Sequence, residues 1–297
     1  MAGGTIQSAN SIIEEQLTKQ ALALEEILRS DVLTVISPIA WGVDDLIRDA
    51  IEARTPRRRR ISLILETDGG YIEVAQRIAD TVRHHYRQVT FIVPNRAMSA
   101  GTVLVMAGDE IKMDYYSVLG PIDPQVQRPG SKSWIPALGY LIQFERLMAK
   151  AASGTLNTAE MAFLVEKFDP AELYRYEQSR QLSITLLKQW LVKYKFRNWK
   201  QTETRRIRVT TKMRESRAEE IAEKLNSTDV WHTHARGISM QVLRKDLKLE
   251  IDDFGSDENL ARTLKTYYRL VIDYMMRRNH HAVLHGMQGY VPIITGA

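Results

Sequence analysis

The sequence contains no cysteine, so disulfides, thiolate metal sites and cysteine nucleophiles are excluded, and nothing argues for an oxidising compartment. It lacks any apolar run approaching the roughly 20 residues that a membrane-crossing helix requires. Its opening stretch, "MAGGTIQSANSIIEEQ", has neither the basic start nor the apolar centre of a secretory signal, so a soluble, cytoplasmic chain without a membrane span is expected. No spacing of His, Asp and Glu makes a metal-ligand set, and no metal or cofactor is expected. Internal repeats and low-complexity linkers are also missing. What is there is a chain of 297 residues, 44% hydrophobic, long enough to bury one large core or a core with a helical appendage.

The net charge is +5, and the sharpest basic cluster is "RTPRRRR" at residues 54–60. No aromatic residues interleave with those arginines, as a single-strand stacking surface would need. The cluster therefore reads as a solvated loop or a contact with an acidic neighbour rather than a nucleic-acid site.

Hydrophobic patterning divides the chain into three parts. Residues 1–30 read as an N-terminal amphipathic arm, with apolar residues at helical spacing from Ser11 onward, able to pack on the body or on another subunit. Residues 31–140 alternate short apolar runs with helical patterns: "DVLTVIS", "VDDLIRDAIEA", "RISLILET", "IEVAQRIADTVRHHY", "VTFIVP" and "AGTVLVMAG". That rhythm is α/β, with mostly parallel strands buried on both faces. Residues 141–297 turn mostly helical and more charged, and are read as an extension of the same core.

Chemistry concentrates where these strands end. In "LETDGGYIEVAQRIAD" a strand ends at Thr67, a glycine pair follows at Gly69 and Gly70, and a helix begins whose apolar positions are Ala75, Ile78, Ala79 and Val82. Such a pair is either an ordinary tight turn or a place where backbone N–H groups are aimed at a bound oxygen. The next strand ends at Pro94, and Ser99 then stands at a helix N-terminus, where N–H groups are unpaired. Ser99 either caps that helix or reacts. Ala97, Ala100 and Gly101 leave space around its hydroxyl, as an approaching substrate would need.

Three motifs in order, "TDGG", "AMSAGT" and "SVLGPIDPQ", resemble the Clp-protease and signal-peptide-peptidase superfamily, most closely the serine dehydrogenase proteinases. The resemblance covers Val32 to Gln125 and weakens in the helical part, where "THARGISMQVLRKDLKL" is similar to a His-Gly segment of the family but is interrupted by Ala235 and Arg236. It implies a ClpP/crotonase-like spiral of ββα units with a helical C-terminal extension. Ser99 matches the nucleophile, Gly69 and Gly70 match the oxyanion-hole glycines, and the backbone N–H of Ala100 would be the second donor. Where Clp proteases carry a histidine after the nucleophile helix, this chain has Asp123, and no histidine occurs between Ser99 and His232. Signal peptide peptidases use a lysine instead, and Lys150, among small neighbours in "RLMAKAASG", stands at a comparable distance beyond the serine. Lys167 and His234 are the alternatives. A lysine base needs burial or nearby positive charge to become neutral, whereas imidazole does not. His234 can equally be a structural histidine.

The resemblance implies a serine peptidase acting on peptide or protein substrates through an acyl-enzyme on Ser99, with a Ser-Lys dyad. It also implies a homo-oligomer, with the arm and the helical extension as assembly surfaces. Two other readings stay open. One is a crotonase-like acyl-CoA enzyme, which would not need Ser99 and would present a glutamate for which no motif is seen. The other is a catalytically inactive scaffold of the same fold.

Overall fold

A computed structural model describes residues 8–123, 125–127, 134–202 and 204–294. After α1 (Ala9–Leu28) the chain repeats one pattern. β1 (Asp31–Ile36) leads to α2 (Val43–Glu52), and β2 (Arg60–Glu66) leads to α3 (Ile72–His85). β3 (Gln88–Ile92) leads to a two-residue strand, β4 (Arg96–Ala97), and then to α4 (Ala100–Val105), and β5 (Glu110–Met113) leads to β6 (Val118–Leu119). In each unit the first strand joins the main sheet, and the residues just beyond it pair in a second, small layer. There Ile39 bridges Gly70, Thr67 bridges Ala97 and β4 pairs with β6, all parallel. This is the expected spiral of ββα units.

The remainder is helical but not wholly so. A hairpin of β7 (Gln125–Gln127) and β8 (Trp134–Pro136) precedes α5 (Ala137–Ala152), α6 (Thr158–Lys167) and α7 (Pro170–Trp190). α7 runs into a turn of π-helix, Leu191–Lys195. Then come α8 (Thr211–Leu225), α9 (Thr228–Trp231), β9 (Ile238–Ser239), α10 (Met240–Lys245), β10 (Asp252–Asp253), α11 (Glu258–Arg278), β11 (Val283–Gly286) and β12 (Gly289–Pro292). β9 joins the small sheet in the order β4-β6-β9. β10, β11 and β12 complete a seven-stranded main sheet, β10-β5-β3-β2-β1-β11-β12, of which the first five strands are parallel and the last two antiparallel. Strands of two to four residues are too short to carry a readable period, so sequence patterning reports this region as helix.

Both faces of the sheet are covered, which is why its strands are continuous apolar runs. Side chains alternate across it. Leu33, Val35, Leu63 and Phe91 face the core shared with α2, α3 and the buried sides of α7 and α8, whereas Val32, Ile36, Ile64 and Ile92 face α1 and α11. The first thirty residues, read as an arm, thus supply a covering helix: Leu17 and Leu24 of α1 are fully buried on the same chain. The arginine cluster explains part of that attachment. Arg54 makes a bidentate pair with Glu25 at 2.8 Å for each bond and lies 2.9 Å from Asp31. Arg58 reaches Glu26 and the Glu25 carbonyl. Burial raises the Asp31 carboxyl above its usual range, opposed by a hydrogen bond from Tyr86 and by Arg54. Such a paired buried cluster is costly to break on one side only. No helix among the described residues is long and apolar enough to cross a membrane.

Beneath α11, the Tyr267 hydroxyl lies 2.7 Å from both Thr34 Oγ1 and His285 Nδ1, while His285 Nε2 is buried without a partner. Desolvation pushes the imidazole down from 6.5 to about 4. Between those two pH values the unfolded chain binds a proton that the folded chain refuses, so stability is full above pH 6.5 and falls as the pH drops toward 4. The loss amounts to about 1.4 kcal/mol per pH unit, roughly 3 kcal/mol in all. His285→Gln, which keeps a partner for Tyr267, is expected to flatten this acid limb when Tm is measured from pH 7 to pH 4; an unchanged slope would place the acid sensitivity elsewhere.

Candidate active site

Ser99 has φ 53° and ψ −120°, a conformation that costs a residue with a side chain on the order of 1–3 kcal/mol and persists only where the surroundings enforce it. The enforcement is visible on both sides. Thr67 and Ala97 pair, with Met98 N–H donating to the Thr67 carbonyl at 3.0 Å. Thr102, one turn into α4, donates its hydroxyl to the carbonyls of Ala97 and Gly120 at 2.8 and 2.9 Å. All six residues of α4 are buried, so the turn before it has little room to relax. Ser99 does not act as a helix cap: its side chain makes no capping bond, and its hydroxyl has no hydrogen-bond partner among the described residues.

The glycine turn lies against this serine. A Cβ on Gly69 would stand 2.7 Å from Ser99 Cβ, and one on Gly70 would stand 2.1 Å from the Ile39 carbonyl oxygen. Both glycines also have positive φ, 101° and 144°, so side chains are refused by space and by backbone conformation alike. Their N–H groups differ. Gly69 N–H donates to Thr67 Oγ1 at 3.1 Å, and the Gly69 carbonyl accepts from Ile39 N–H at 2.8 Å. Gly70 N–H has no partner among the described residues, and neither has Ala100 N–H. Of the two glycines, Gly70 is the one with a free donor, and Gly69 shapes the turn.

A guanidinium joins the two halves. Arg96, in β4, pairs with Asp68 through Nε and Nη2 and with Glu66 Oε1 at 2.9 Å through Nη1. Glu66 is buried at the end of β2 and also accepts from Asn95 Nδ2 at 2.7 Å and from the Tyr268 hydroxyl of α11. Burial, with the Glu66 carboxylate next, raises the Tyr268 phenol well above its usual range. Arg96 thus ties the residue before the glycine turn to the strand that leads into Ser99.

On the other side, β6 is flanked by β4 and β9. Leu119 is paired with Ala97 on one edge and with Ile238 on the other. Four residues beyond β6 and four before β9, the side chains of Asp123 and His234 meet, His234 Nδ1 lying 2.9 Å from Asp123 Oδ1. Asp123 is 2% exposed, and its Oδ2 is buried without a partner. His234 is 11% exposed. A carboxylate accepts from Nδ1–H, which leaves the ring's lone pair on Nε2, and Nε2 has no partner among the described residues.

The lysines are placed differently. Lys150, in the last turn of α5, is 51% exposed and pairs with Glu160 of α6. Lys167 ends α6, is 54% exposed and pairs with Glu166. The lysine whose ammonium is pushed down by burial is Lys195, which sequence reasoning did not single out, and it sits beside the Asp109 carbonyl at the start of β5. Ser99 lies beyond the opposite ends of these parallel strands. No cluster of three or more His, Asp and Glu among the described residues could hold a metal ion. The pairing of Asp123 with His234 was also missed; its signal is the apposition of "SVLGPID" with "HARGIS", two segments more than a hundred residues apart.

The Arg96 tie generates a test. Arg96→Met is expected to slow the reaction of Ser99 with a fluorophosphonate probe by about tenfold or more, since small displacements at such sites are costly, and to lower Tm as well, because the buried Glu66 carboxylate loses its cation. Guanidine added at millimolar concentration is expected to restore part of the rate. An unchanged labelling rate would remove Arg96 from any role in holding the turn.

Residues 39–153 match the family model described as ClpP-like SDH-type serine proteinase. Two uncharacterized proteins of Methanocaldococcus jannaschii are similar. One is 34% identical over 108 residues, covering 36% of this chain and 35% of its own. The other is 39% identical over 119 residues, covering 40% and 39%. The aligned stretch thus spans less than half the length of either relative. Among solved structures, a serine-to-alanine variant of 1510-N membrane-bound stomatin-specific protease aligns with 74% of this chain and 77% of its own, at 15% identity and a TM-score of 0.44. A lysine-to-alanine variant of that protease in complex with a substrate peptide aligns with 75% of each chain, at 16% identity and a TM-score of 0.45. His234 lies outside the family match, whereas Ser99 and the Gly69–Gly70 turn lie in the segment that matches the model of the ClpP-like SDH-type serine proteinases.

Proposed function

We propose that this chain is a serine peptidase that cleaves peptide bonds through an acyl-enzyme on Ser99. One observation carries the reading: an unbonded hydroxyl at a strained backbone position lies against a glycine turn whose Gly70 N–H is unpaired, next to the unpaired Ala100 N–H. Attack of Oγ on a peptide carbonyl moves an electron pair onto the carbonyl oxygen, and these two donors accept that charge. Each donor of this kind contributes about 3 kcal/mol to the transition state. Collapse of the intermediate expels the amine, and water then releases the acyl group from Ser99.

The hydroxyl needs a base, and we assign that role to His234, oriented by Asp123. The assignment is supported by the 2.9 Å contact, by the free Nε2, and by the small sheet in which β4, two residues before Ser99, and β9, four residues after His234, both pair with β6. An imidazole is competent near neutral pH without environmental help. Lys150, the base that the family resemblance implies, is the second reading; it would have to leave Glu160 and lose solvent to become neutral.

Ser99→Ala is expected to abolish both fluorophosphonate labelling and peptide cleavage. His234→Ala is expected to lower kcat by about a thousandfold or more, the usual scale for losing a general base beside a serine, and Lys150→Ala by less than twofold. The reverse pattern in kcat returns the base to Lys150. Wild-type protein that neither labels nor cleaves leaves the inactive scaffold as the function.

The same proposal includes assembly into a homo-oligomer. It is supported by α6, which buries none of its residues although Met161, Phe163 and Val165 are apolar and exposed. Light scattering at micromolar concentration is expected to return a multiple of 34.1 kDa; a monomer there would remove this part of the proposal.

A further inference from the structure

We infer that Trp41 and Tyr71 form a subsite for an apolar side chain next to the scissile bond, an assignment that rests on the peptidase reading of Ser99. The two rings are 60% and 51% exposed, yet they touch, with centroids 6.2 Å apart and planes tilted by 39°. Isolated exposed apolar residues are ordinary on any protein surface. This pair differs in being fixed at both ends. Tyr71 directly follows Gly70 and donates its N–H to the Ile39 carbonyl at 2.8 Å, and Ile39 N–H donates to the Gly69 carbonyl at the same distance. Trp41 stands two residues beyond Ile39. It is followed by Gly42, at φ 91°, whose N–H donates to Asp44 Oδ1 at 3.1 Å, and Val43 N–H returns to the Ala40 carbonyl. Asp44 is itself buried and held by Arg77. The backbone positions from which both rings project are therefore set before anything binds, which limits the ordering that a bound side chain requires.

Its position selects the occupant. A peptide whose carbonyl oxygen lies on Gly70 N–H has its neighbouring residues about 3.8 Å away per residue along the chain. Tyr71 is one residue from that donor, so an aromatic or long aliphatic side chain beside the scissile bond comes within reach of the two rings. Neither ring carries a charge, and what the pair offers such a side chain is removal of apolar surface from water.

The test uses internally quenched peptides with Phe, Leu, Ala or Glu at each position flanking the cleaved bond, and reads the ratio of kcat/KM for Phe or Leu over Ala. Wild-type protein is expected to favour Phe or Leu at one such position. Trp41→Ala and Tyr71→Ala are each expected to reduce that ratio by about tenfold, the scale of losing burial for one such side chain, whereas Trp41→Phe and Tyr71→Phe keep most of it. Wild-type protein that labels at Ser99 and cleaves with a ratio unaffected by either alanine variant overturns the subsite and leaves the peptidase reading intact. Wild-type protein that neither labels nor cleaves removes the peptidase reading and this one with it. An alanine variant that changes the particle mass in light scattering while the ratio stays constant makes the pair a subunit contact and also overturns the inference.

Discussion

Gly70 lies so close to the Ile39 carbonyl that no side chain fits between them, and that backbone contact sets where the rest of the candidate site stands. Pairing with Ile39 uses the Gly69 carbonyl and the Tyr71 N–H. In an extended segment the groups of the residue between point to the other edge, so Gly70 N–H is directed away from Ile39. The neighbouring bridge between Thr67 and Ala97 then aligns β4 so that its continuation, Ser99, lies against the turn. Each ββα unit thus contributes one short rung to a second layer, and the site lies along those rungs. The main sheet matters by holding the rungs still. It is clamped by α2 and α3 on one face and by α1 and α11 on the other, and Tyr268 of α11 reaches through to Glu66 just below the turn.

Much of this was legible in the sequence because it is local. The alternation of apolar runs and helical patterns follows from strands buried on both faces, and β1, β2 and β3, at the centre of the parallel part of the sheet, obey it. Gly69, Gly70 and Ser99 stand in motifs of four to six residues whose spacing reflects steric demands within one turn. The distinction between the two glycines was not legible, since it depends on whether Thr67 Oγ1 takes the N–H of Gly69 or of Gly70. Whether Ser99 caps α4 was likewise open in the sequence, since the absence of a side-chain capping bond shows only in the folded chain.

The rest is written in contacts across long stretches of chain. β9, β10, β11 and β12 carry two to four residues each, too few for a period, and their identity as strands comes from partners already in the sheet. α1 has a pattern compatible with any apolar surface, and what selects the sheet is the pairing of Arg54 with Glu25 and Asp31, which no local window contains. The same holds for Asp123 and His234. "SVLGPIDPQ" marks the absence of a histidine where Clp proteases have one, but only the folded chain brings a histidine from the helical extension to that carboxylate.

That contact bears on how the proposed site is partitioned. Ser99, Gly70 and Ala100, the proposed nucleophile and oxyanion donors, lie inside the segment that matches the serine proteinase family, whereas His234 lies beyond it. A base drawn from outside that segment, as we propose, has to be positioned by something within it, and a buried carboxylate in contact with the ring is suited to that task. Asp123, 2% exposed, stands four residues beyond β6, the strand that pairs with β4, and its Oδ1 lies 2.9 Å from His234 Nδ1. Lysine would require the opposite arrangement, an apolar surround without a carboxylate, since a nearby negative charge favours the ammonium form. Lys150 with Glu160 and Lys167 with Glu166 each carry such a carboxylate. The proposal of His234 over a lysine therefore rests on its contact with the buried Asp123 and on the free Nε2, independently of which residue the family resemblance implies.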